Sequence, residues 1–171
     1  MIDYKIHSWQ EVDKEKLSKG LYIWVIHVNK IPPHIGISID GKFYSLKVNG
    51  KDVGVDFELI YKIIQKKQIQ TLFVEIDSNK NSNIESVFEK YKSLNNSNTT
   101  CLSPIIEFLH EDENIKILVE LLVNLDKKNQ IKSFFGLNLG TDFEGIPVYS
   151  LDDVQNRILK LKDAKRSKHI S

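Results

Sequence analysis

The chain is expected to fold as an α+β domain in which an antiparallel meander sheet packs against helices, and three observations predict it. The run Leu21 to Val28 is β-branched and aromatic on both faces, as a central strand covered from two sides must be. Asp40-Gly41 separates two alternating segments, and Asp-Gly supplies the positive φ angles that a two-residue hairpin needs. From Asp56 the apolar residues shift to helical spacing, at Phe57, Ile60, Ile63 and Ile64.

Taken in order, residues 1–20 read as a polar lead-in. Ser8 and Glu11 have capping-box spacing, so a short helix is expected there, stopping at Lys19-Gly20. The Leu21–Val28 strand ends at Pro32-Pro33, because proline cannot donate to a ladder. His34 to Ile39 and Lys42 to Val48 form the hairpin, and Asn49-Gly50 marks a further turn. Gln70 to Ile76 reads as a strand, Ile84 to Tyr91 as a helix, and 77–83 and 95–100 as polar loops. A third helix opens at Cys101, and Ile115 to Leu125 is a strongly apolar fourth. Lys132 to Leu139 is a short strand or irregular packing, and Ile146 to Tyr149 is extended. Ser150-Leu151-Asp152-Asp153 caps a last helix through Leu161, with a charged, frayed tail over 162–171.

Length and composition limit the function. With 171 residues, 41% hydrophobic and 27% charged, the chain fits one globular domain spanning 1–171. A net charge of +1 provides no field for a polyanion, so no nucleic-acid partner is expected. The opening residues carry no secretory apolar stretch, and Ile115 to Leu125 is too short to span a bilayer. The expectation is therefore no membrane and a cytoplasmic address, where the lone Cys101 stays reduced. Five scattered histidines lack zinc spacing, and Gly136 to Gly140 lacks the lysine and hydroxyl of a phosphate loop. Neither a metal nor a cofactor is expected.

One constellation carries chemistry. A thiol attacks only as thiolate, and its pKa falls beside an imidazole and at a helix start. Cys101 stands near such a start, and His34 opens the best-defined strand. Gly36, two residues on, leaves room for a group to approach His34. Mirroring the hairpin about Asp40-Gly41 sets Gly36 opposite Ser45 and His34 opposite Lys47. Ser45 is then the nearest neutral group able to orient the imidazole, and Lys47 would depress its pKa. If Ser103 caps the helix and Pro104 is its first residue, Cys101 lies just outside and loses help from the dipole.

The segment from His34 to Ser45 resembles the histidine hairpin of NlpC-like and papain-like cysteine peptidases. Thr99-Thr100-Cys101-Leu102-Ser103-Pro104-Ile105 is similar to their cysteine motif. Hairpin before cysteine is the order of the circularly permuted members. The resemblance covers roughly 21–109. It implies a papain-like fold in permuted order and a peptidase, amidase or acyltransferase working through an acyl-enzyme. Cys101 would be nucleophile, His34 general base, and Ser45 the orienting residue, with a peptide or an amide or acyl compound as substrate. No acid or amide occupies the orienting place on the return strand. The alternative keeps the fold without the chemistry: a binding or immunity-type module with a protein partner. His27 reads as a satisfied core histidine within its strand.

Overall fold

The structure is a computed structural model and describes residues 1–77, 83–94 and 99–170, with helix side chains described as far as 166. Its element order is β1 (Ile2–Lys5), β2 (Gln10–Glu11), a 3₁₀ turn (Lys14–Ser18), β3 (Leu21–Ile26), β4 (His34–Ile39), β5 (Lys42–Lys47) and β6 (Gly50–Asp56). There follow α1 (Phe57–Lys66), β7 (Thr71–Ile76), α2 (Ile84–Glu89), α3 (Ser103–Leu109) and α4 (Leu118–Lys127). The chain finishes with β8 (Ile131–Leu137), β9 (Gly145–Pro147) and α5 (Leu151–Ile170). It is an α+β fold with a mixed, largely antiparallel sheet.

Seven strands pair in the order β2-β8-β7-β3-β4-β5-β6, and only β2 with β8 is parallel. The expected meander is β3-β4-β5-β6, and the Asp40-Gly41 turn has φ of 46° and 82°, both in the left-handed region. Ile39 pairs with Lys42 and Ser38 with Phe43, the register that the turn dictates. β3 is buried along its whole length, because both faces of the sheet are covered.

Strand alternation divides the core in two. One face carries Ile23, Val25, Ile35, Ile37 and Leu46 and is covered by α2, α3, α4 and the start of α5. The other carries Tyr22, Trp24, Phe43 and Phe73 and is covered by α1 and Leu17 of the 3₁₀ turn. Trp24 is the centre of this second core. It is fully buried, donates from Nε1 to Ser38 Oγ at 2.8 Å, and meets Phe43 and Phe73 edge-on at 4.9 and 4.8 Å.

Both ends of the chain depart from expectation. The lead-in is not a helix after Ser8. Gln10–Glu11 add a parallel strand beside Phe135–Gly136, and Asp13, not Ser8, caps the following 3₁₀ turn by accepting from the Glu15 N–H at 3.1 Å. Pairing with β8, remote in sequence, outweighs the local capping signal. Ile2–Lys5 form a two-stranded sheet with β9, where Gly145 at φ 149° lets the backbone pass close to Tyr4. At the far end α5 runs to Ile170 instead of stopping near Leu161, since neither glycine nor proline interrupts that segment. The expected loops at 77–83 and 95–100 fall in large part outside the described residues.

Candidate functional site

A cleft of about 710 Å³ opens where β4 begins. The register pairs of β4 with β5 run over Ile37–Ile39, short of His34 at the start of the strand. One wall is the segment 27–35 with Ile31, Pro32 and Pro33. The floor holds Val48, Leu94, Cys101 and Leu102. The facing wall is a single stripe of α5: Val154, Arg157, Ile158, Leu161, Ala164 and Lys165, spaced at three and four residues.

Cys101 and His34 both line this cleft. Cys101 is partly buried and packs against the first core. α3 begins at Ser103 with Leu102 as its cap and Pro104 in the first turn, so the thiol lies before the helix. Thr100 accepts from the Leu102 N–H through Oγ1 at 3.2 Å, and Ser103 Oγ accepts from the Thr100 N–H at 2.9 Å. These bonds fix the turn that carries the cysteine. Burial pushes the thiol up to about 11, against the opposing pull of the backbone N–H groups of Ile35, Cys101 and Leu102.

His34 comes to the cleft from the other face of β4. It pairs with Ile26 of the second core and shares the alternation of Gly36 and Ser38. The space above Gly36, expected to admit a partner for the imidazole, is taken by Phe43: a Cβ there would lie 2.5 Å from the ring carbon Cζ. Burial lowers the His34 pKa to about 4; Asp52 opposes the fall, and Lys47 and His27 add to it. The direction expected of Lys47 is the one found.

Ser45 is fully buried and does not line the cleft among the described residues. Its hydroxyl donates to Asp52 Oδ2 at 2.9 Å, while Lys47 Nζ binds Asp52 Oδ1 at 3.1 Å. The carboxylate near His34 is thus Asp52 of β6, one strand beyond the place where an orienting residue was sought. Sequence reasoning followed the hairpin only as far as its return strand; the tight turn that pairs Lys47 with Gly50 carries Asp52 opposite Ser45. His27 is also corrected. It lies in the turn after β3 at φ 57°, half-buried on the cleft, with its pKa lowered first by burial and then by Lys30, Arg157 and Lys67.

At neutral pH the thiol and the imidazole are therefore both uncharged. With the thiol raised to about 11 and the imidazole lowered to about 4, burial favours the neutral pair over a thiolate and an imidazolium. Among the described residues no cluster of three His, Cys, Asp or Glu is placed to hold a metal ion, and no helix is long and apolar enough to cross a membrane. No family model, curated protein or solved structure matches the chain.

Proposed function

We propose that the protein is a binding module whose cleft beside β4 accommodates a small molecule with an apolar body. The observation that carries this is the α5 stripe. Val154 and Ile158 are buried, but Leu161, one turn further along the same face, is 38% exposed and still lines the cleft, as does Ile31 at 53%. An apolar stripe that continues past its own packing leaves a space with apolar walls, and the cleft volume lies within the range of about 300–1,000 Å³ usual for small-molecule sites. The uncharged thiol and imidazole fit such a wall.

A direct test uses the neutral apolar dye Nile red. The expected result is saturable binding with a blue-shifted emission. Leu161→Asp should weaken it about tenfold or more, because a buried leucine contact contributes about 1.5–3 kcal/mol. Leu159→Asp, at a residue 58% exposed on the same helix but outside the cleft, should leave it unchanged. Absence of binding, or equal loss in both variants, contradicts the reading.

A second reading is favoured by a specific observation: Cys101 and His34 share one cleft, with the Asp52 carboxylate near the imidazole. On this reading the chain is a thiol hydrolase or acyltransferase of papain-like fold in permuted order. Asp52 would take the orienting role, and Ser45 would hold Asp52 in place. A bound substrate would then have to supply the reorganisation that brings the thiol proton to His34.

A further inference from the structure

We propose that the molecule held in the cleft is an anionic amphiphile of the alkyl carboxylate class, an inference that rests on the binding reading above and specifies its ligand. The argument is charge complementarity. Lys30, Lys47, Lys116, Arg157 and Lys165 line the cleft, and among its described lining residues there is no aspartate or glutamate. The whole chain carries a net charge of only +1, so this local excess is not a sample of the average surface. Two of the five cations are engaged: Lys47 pairs with Asp52 at 3.1 Å, and Lys116 Nζ donates to the Glu113 carbonyl at 2.9 Å. Lys30, Arg157 and Lys165 take no part in the ion pairs formed among the described residues.

These three cations stand around the apolar walls. Lys30 precedes Ile31 on one wall, and Arg157 and Lys165 stand on the α5 stripe on either side of Leu161. A ligand whose chain lies along Leu161 and Ile158 would have its head within reach of Arg157 or Lys165 at the rim. A guanidinium binds a carboxylate through two parallel N–H groups. A cationic head would meet three like charges, and a neutral one would gain nothing from them.

Octanoate, octan-1-ol and octylamine share a chain and differ in head charge, which separates the two contributions. Calorimetric titration of the intact protein in about 50 mM salt, where screening is modest, should rank octanoate first, about tenfold tighter than octanol, with octylamine weakest. Arg157→Glu combined with Lys165→Glu, both at exposed helical positions, should remove most of the preference for octanoate over octanol. Raising the salt should weaken octanoate alone. Equal affinities, or a preference for octylamine, would overturn the anionic assignment. Loss of all three ligands with Nile red still bound would also overturn it while sparing the cleft. Loss of Nile red binding as well would remove both proposals.

Discussion

Replacing Trp24 by alanine is expected to cost about 3–5 kcal/mol, the range for deleting a large aromatic from a closed core. The indole is wholly buried between Phe43 and Phe73, and its Nε1 donates to Ser38 Oγ. The substitution therefore leaves a cavity and also strands a buried hydroxyl. The neighbours cannot close in easily: Phe43 is already seated over Gly36, and Phe73 lies on a strand paired on both sides. Domains of this kind have about 5–15 kcal/mol of stability in all, so the variant should sit near the edge of folding. Urea denaturation measures it. Trp24→Phe, which keeps most of the volume and loses the hydrogen bond, should cost clearly less, and a loss below about 1 kcal/mol for alanine would show that the second core is not packed as described.

Acid should destabilise the protein through His34 well before carboxylates titrate. The imidazole has a folded pKa of about 4, against about 6.5 when unfolded. A lowered folded value means that the unfolded chain takes up the proton first. Stability is therefore complete above pH 6.5, falls as pH drops from about 6.5 to about 4, and then levels off for this group. The loss amounts to at most about 3 kcal/mol at 1.4 kcal/mol per pKa unit, since the side chain keeps some contact with water through the cleft. His27, lowered in the same direction, adds to the slope. Unfolding midpoints at pH 7 and 4.5 should differ markedly in the natural chain and much less in His34→Gln. Identical pH profiles would place the imidazole in water.

Much of this fold is legible in the sequence wherever local chemistry and tertiary demand agree. Asp40-Gly41 sets a register that alternation then carries through Ile37, Ser38 and Ile39. The helical spacing after Asp56 gives α1, and the Asp56 carboxylate caps it by accepting from the Glu58 N–H at 3.0 Å. The misreadings come where a partner distant in sequence decides. Ser8 and Glu11 satisfy a capping rule, yet Gln10–Glu11 extend the sheet beside β8, and no window along the chain contains that information. Residues 162–170 look like a tail because their composition is charged, although that composition is also good for a helix.

The candidate site was half visible. The residues His34 and Cys101 can be read from hairpin and cysteine motifs, and both reach one cleft. Their protonation cannot be read in this way, because it follows from their burial in the folded chain. Asp52 stands opposite Ser45 on the strand after the hairpin's return strand, and the cations of α5 look like an ordinary solvated face until the helix is laid over the cleft.

The rate at which iodoacetamide modifies Cys101 tests the central claim most directly, because cleft wall and nucleophile differ in thiolate content. For a thiol held near 11, alkylation at pH 6 should be slower than that of free cysteine, whose pKa is about 8.5. It should also be insensitive to His34→Ala and slowed further by bound octanoate. Modification at pH 6 faster than free cysteine, and lost in His34→Ala, would contradict the account and establish a thiolate–imidazolium pair.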